Sequence, residues 1–218
     1  MTRLAFLIAT IAACAPDAPA TPSFQQHVLP ILAANCVRCH GYPVLGGGPP
    51  LLRLDSYGDV AIDDDTVMTG AAINAALIAS RVVDDARPMP PRFPLDDHQL
   101  AILDSWAAQV PPGEPPPRGE PWPGNRAPTI EITGVDRAGA VVAVHVRIAD
   151  ADGDLVAGEL RARVGGIDRI VGPVRSGTVT ARWDTAMIAP GSHPLTAHLD
   201  DGADEHVVSL GTITVETP

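Results

Sequence analysis

Five consecutive residues, Cys36-Val37-Arg38-Cys39-His40, restrict this chain more than any other stretch. Two cysteines three positions apart, with a histidine directly after, reach three points of one flat ring when they sit at the end of a helix. The thiols add across two vinyl groups of a porphyrin, and the histidine comes under the iron as its proximal ligand. A chain carrying this pentapeptide must leave a slot beside it. Cys-x-x-Cys also occurs as half of a zinc site or as a redox dithiol. A structural zinc wants a second pair of ligands at similar spacing, and a total of three cysteines does not provide one. A thioredoxin-like dithiol follows a strand, whereas the residues before Cys36 carry a helical pattern. One covalent haem c is therefore the cofactor expected at Cys36 and Cys39, with His40 on its iron.

The remaining cysteine, Cys14, lies in a different context. Arg3 gives a positive start, Leu4 to Ile11 an apolar run and Ala12-Ala13 small residues, the pattern of an export signal. The run is shorter than the ~20 residues needed to span a bilayer. Ile11-Ala12-Ala13-Cys14 resembles the lipobox of bacterial lipoproteins, which implies an acylated Cys14 and a lipid anchor to a membrane. The alternative is an ordinary signal peptide with an incidental cysteine. With one thiol on lipid and two on haem, no disulfide is left to expect. Residues 1–22 are read as signal and spacer, and the protein is expected on the periplasmic or cell-surface face.

Charge excludes one class of partner. A net charge of −11 argues against nucleic acid, and all 15 basic residues are arginine, so no lysine ring can serve as a docking surface.

Residues 23–110 read as one domain. Ser23 with Gln26 has the spacing of a capping box, and Phe24, Val28, Ile31 and Leu32 share a helical face interrupted by Pro30. Gly46-Gly47-Gly48-Pro49-Pro50 cannot be regular structure. Either it is a flexible turn, or it runs past His40 so that the Pro49 or Pro50 carbonyl accepts from the second ring nitrogen. Asp63-Asp64-Asp65 is read as a solvated turn before a helix over 71–83. The second iron ligand is expected to be Met89, stiffened by Pro88, Pro90 and Pro91. Met68, His27, His98 and an open site are the alternatives. Asp96 with Gln99 predicts a capped helix that buries Leu100, Leu103 and Trp106.

Taken together, Cys36, Cys39, His40 and Met89, the Gly/Pro loop and the helix ending near Trp106 resemble a single-haem class I cytochrome c. The resemblance implies a small all-α domain with crossed first and last helices. It also resembles the cytochrome modules attached to larger exported bacterial proteins.

Eight of the eighteen residues from Pro111 to Pro128 are proline, which predicts a stiff extended linker of about 50 Å at ~3.1 Å per residue. From Thr129 the apolar period becomes two, as in Val142, Val144, Val146 and Ile148. A slip at Gly211 predicts a bulge. About seven short strands over 129–218 read as an antiparallel sandwich, and the segment resembles the immunoglobulin-like modules of exported bacterial proteins. The expected fold class is thus an all-α cytochrome c-like domain followed by an all-β immunoglobulin-like sandwich. Asp150, Asp152 and Asp154 could share a calcium ion with Asp200 and Asp201, but the same residues are what hairpin turns require, and the turn reading is preferred.

Function is expected to be electron transfer between redox partner proteins, not enzymatic catalysis, because a His40/Met89 iron has no open position for substrate. Two alternatives stand beside it. One is a five-coordinate haem enzyme or gas or peroxide sensor, with His98 as acid/base. The other is a surface or adhesion module whose β-domain is the working part.

Overall fold

The computed structural model describes residues 18–120 and 124–216. The expected export signal and Cys14 lie outside them.

The first half is built on short helices because proline and glycine cut every helical run. Phe24–Val28 is one π-helical turn, closed by Val28 N–H on the Ser23 carbonyl at 3.2 Å. Pro30 has no N–H to donate to the Gln26 carbonyl, and the widened turn sits just ahead of it. Ser23 makes no side-chain cap with Gln26; its N–H and Oγ lie 3.1 and 3.3 Å from His27 Nδ1 instead. Helix α1 (Leu29–Asn35) breaks at Cys36, and α2 (Val37–His40) carries the rest of the motif. Strands β1 (Val60–Ala61) and β2 (Val67–Met68) pair antiparallel, and Asp63 to Asp65 form the turn between them. Helix α3 (Ala75–Val82) follows, and then α4 (Asp97–Ala107), which opens on the expected Asp96–Gln99 capping box. Phe24, Leu32, Leu54, Ile78, Leu103 and Trp106 form the core, with Phe24 5.9 Å from Trp106 and 5.3 Å from Tyr57 between ring centroids.

The second half holds seven strands: β3 (Thr129–Ala138), β4 (Val141–Ala149), β5 (Ala157–Val164), β6 (Ile167–Arg175), β7 (Gly177–Asp184), β8 (Gly191–Asp200) and β9 (Glu205–Val215). They form antiparallel sheets of order β3-β4-β7 and β6-β5-β8-β9. Alternate residues such as Val144, Val146, Leu160, Ala197 and Leu199 fill a second apolar core. The β8–β9 register slips between Pro194 and Thr196, opposite Leu210 and Gly211, and Gly211 adopts φ +87° as a bulge requires.

This architecture overturns the expected fold class, an all-α cytochrome c-like domain followed by an all-β immunoglobulin-like sandwich. The chain is mainly β, and residues 23–110 contain a β-ribbon, a Leu52–Thr69 bridge and long irregular segments between their helices. Nine glycines and prolines between Gly41 and Gly70 leave that stretch unable to propagate a helix.

The proline-rich segment also departs from expectation. The Pro117 carbonyl accepts from Phe24 N–H and from the indole N–H of Trp106, both at 3.0 Å, and the Pro116 carbonyl accepts from Tyr57 Oη–H at 2.6 Å. These bonds hold residues 116–118 against the first core. Proline lacks a donor but keeps its carbonyl, so a Pro run next to polar aromatic tips becomes an acceptor strip.

Candidate functional site

The α1–α2 break places Cys36 at the N-terminus of α2, and the tight turn that follows (Cys39 N–H to Cys36 O, 3.0 Å; His40 N–H to Cys36 O, 2.9 Å) turns both thiols and the imidazole towards one cavity. That cavity measures about 460 Å³, within the roughly 300–1,000 Å³ of small-molecule and cofactor sites. Its walls are mainly apolar: Leu52, Leu54, Leu77, Ile78 and Val82. Met89, Pro90 and Pro91 line it as well, together with the guanidinium-bearing Arg81 and Arg87.

The glycine run is packed, not loose. A Cβ on Gly46 would fall 2.2 Å from Cys39 Sγ, and one on Gly48 would fall 2.1 Å from the Cys39 carbonyl and 3.1 Å from His40 Nδ1. The loop therefore lies directly on Cys39 and His40 because two of its residues lack side chains. His40 Nδ1 is buried there without a hydrogen-bond partner among the described residues, so a bond from Nδ1 to a Pro49 or Pro50 carbonyl, one of the two readings of this loop, is not made. The His40 carbonyl accepts from Leu54 N–H at 2.6 Å.

Behind this loop lies a pair that sequence reasoning missed. Arg53 is fully buried; its Nε and Nη2 donate to Asp55 at 2.6 and 2.9 Å, and its guanidinium carbon stands 5.6 Å from the Tyr42 ring centroid. Asp55 also accepts from Tyr42 N–H at 3.4 Å. Charges two residues apart look solvent-facing in a sequence, and only the apolar residues flanking them, Leu52 and Leu54, hint at burial.

Burial sets the electrostatics of the motif. It pushes the Cys36 thiol up to about 11, with the Cys39 thiol adding to the shift, and it lowers His40 below its usual range. A redox dithiol needs a lowered thiol pKa, and burial moves Cys36 the other way. A structural zinc would need a fourth ligand beside Cys36, Cys39 and His40, and no other Cys, His, Asp or Glu lines the cavity among the described residues. A porphyrin fits better: two thiols for its vinyl groups, an imidazole kept neutral for its iron, apolar walls for its faces and two arginines for its carboxylates.

The other candidate iron ligands are elsewhere. Met68 is buried in the first half, His27 faces Ser23, and His98 stands on the first turn of α4; none lines the cavity. Met187 is 94% exposed in the second half.

Between β4 and β5, carboxylate oxygens of Asp150, Asp152 and Asp154 lie within 4.8 Å of one another. Asp152 is already engaged by Arg126, whose Nε and Nη2 donate to it at 2.9 and 2.7 Å. Asp201 accepts from Asn125, Ala203, Asp204 and His206. Asp200 instead pairs with Arg118. Among the described residues no helix is long and apolar enough to cross a membrane.

No protein-family model matches this chain, and no curated protein matches it.

Proposed function

We propose that this protein is an electron carrier built around one covalently attached haem c. The observation that carries the reading is a single apolar cavity lined both by Cys36, Cys39 and His40 and by Met89. When bound, such a group supplies a one-electron Fe(III)/Fe(II) couple. Cys36 and Cys39 would hold it through thioethers, and His40 and Met89 would ligate its iron. Met89 is 38% exposed, so the ligand loop forms part of the surface through which a partner protein would exchange electrons. Leu52, Leu54, Leu77 and Ile78 exclude water and keep the local dielectric low, which together with a thioether ligand favours the reduced state. Arg87, and Arg81 in so far as its pairing with Asp84 leaves it free, would offset the charge of the porphyrin carboxylates.

The chain would be held on the outer side of a membrane by an acylated Cys14. His98, the residue that peroxide chemistry would need, stands outside the cavity, which favours the carrier over the peroxidase alternative.

The test is the absorption spectrum of protein matured with a cytochrome c assembly system, with and without Met89→Ala. Covalent haem that resists acid–organic extraction and a methionine–iron charge-transfer band that disappears in the variant are expected. Wild-type protein without covalent haem overturns the reading; a band that survives Met89→Ala overturns the ligand assignment.

A further inference from the structure

Met89 lies on an irregular segment between α3 and α4, and a thioether is a weak ligand that must be held in place. The anchoring comes from four hydrogen bonds at the end of α3. Asp84 Oδ1 accepts from Ala86 N–H at 2.9 Å and from Arg87 N–H at 3.2 Å. Its other oxygen, Oδ2, accepts from Arg81 Nη1 at 2.9 Å, and the Arg81 carbonyl accepts from Met89 N–H at 3.2 Å. One carboxylate thus closes the turn that leaves α3, while the helix end it is tied to receives the backbone of Met89. The same backbone donors hold Asp84 below the usual carboxylate range, with Arg81 adding to the effect.

We propose that Asp84 is the positioning residue for the distal iron ligand: its Oδ1 caps the 84–87 turn and so keeps Met89 at the cavity. This rests on the haem reading above. Opening of the turn would release the Met89 backbone from the cavity wall, so the cap would contribute to the free energy of methionine binding, although Asp84 does not line the cavity. Asparagine keeps an oxygen at the Oδ1 position and can accept both backbone N–H groups, but it loses the charge that pairs with Arg81. Alanine loses both. Asp84→Asn and Asp84→Ala remove the same negative charge, so any difference between them reports the cap and not the electrostatics.

Imidazole competes with a bound methionine for the iron, and its apparent affinity measures how firmly that ligand is held. In the haem-loaded full chain, Asp84→Ala is expected to bind imidazole roughly tenfold more tightly than wild type, as two lost backbone hydrogen bonds imply. Its methionine–iron band should weaken accordingly, and Asp84→Asn should stay close to wild type in both respects. Thermal unfolding followed by the haem absorption checks that the variants are folded. Unchanged imidazole affinity in Asp84→Ala overturns the proposal, and so does an equal shift in both variants. Wild-type protein that carries haem but lacks the methionine band overturns the Met89 assignment and this proposal with it, while Asp84→Ala behaving as wild type leaves that assignment standing.

Discussion

Individual side chains set the chemistry of the cavity, and their roles differ in how visible they are along the chain. Cys36, Cys39 and His40 announce themselves because the proposed haem attachment demands a fixed local spacing. Arg53 and Asp55 do not, although they sit under the loop that carries Tyr42 and beside the His40 backbone. Removing one partner of a buried ion pair strands the other charge, which costs about 3–5 kcal/mol. Asp55→Asn is therefore expected to lower stability by that amount in denaturant titration. Arg53→Met combined with Asp55→Leu should recover part of the loss, because neither charge is then buried. A double variant as unstable as the sum of the singles would show that the pair is not coupled.

At the scale of elements, the glycine loop and the helix caps carry the next predictions. Gly46 and Gly48 have no room for a Cβ against Cys39, whereas Gly47 faces open space at φ +77°. Gly46→Ala and Gly48→Ala should displace the loop and reduce the yield of covalent haem. Gly47→Ala should retain haem and cost only about 1 kcal/mol of stability from the left-handed backbone. Asp96→Ala removes a complete capping box and is expected to lower the thermal midpoint by an amount equivalent to about 1 kcal/mol. The Asp96 cap was legible in sequence because a cap is a local contract between residues three apart. The same spacing at Ser23 misled, since Pro30 denies the ladder a donor one turn later and the chain widens instead. Proline and glycine between residues 41 and 70 also explain why residues 23–110 are not all-α: backbone that lacks either the donor or the restraint for a helix cannot propagate one.

At the scale of the molecule, the two cores meet through polar contacts. Arg118 pairs with Asp200, donates from Nε to the Gly202 carbonyl at 2.9 Å, and holds its guanidinium carbon 5.4 Å from the Tyr57 ring centroid. Asp64, in the β1–β2 turn, accepts from Arg169 Nη1 at 3.1 Å and from Ile170 N–H at 3.0 Å on β6. Burial drives Asp200 from its ordinary 3.8 up to about 6, against the pull of Arg118. A carboxyl whose folded value is raised holds its proton more tightly when folded, so its contribution to stability falls as pH rises from about 4 through about 6 and is flat above. Asp200→Asn lacks this titration. Its stability relative to wild type is expected to increase across that window, as read from denaturant midpoints at pH 4 to 7.5. A pH-independent difference would mean that Asp200 titrates normally in the folded protein.

Local sequence was enough to single out Cys36, Cys39, His40 and Met89, which line one cavity, and to place the change of apolar period at Thr129 and the bulge at Gly211. Each of these is written in residues a few positions apart, where covalent spacing, proline stiffness or strand alternation acts directly. Tertiary packing was needed to see that the proline segment folds back on Phe24, Tyr57 and Trp106, that the Gly46–Gly48 loop lies on Cys39, that Arg118 joins the two cores and that the Arg53–Asp55 pair is buried. Most of these depend on which carbonyls and charges meet across long stretches of chain, and the Arg53–Asp55 pair, only two residues apart, depends on what covers it. Such meetings are set by burial, and the local pattern of a sequence does not record burial.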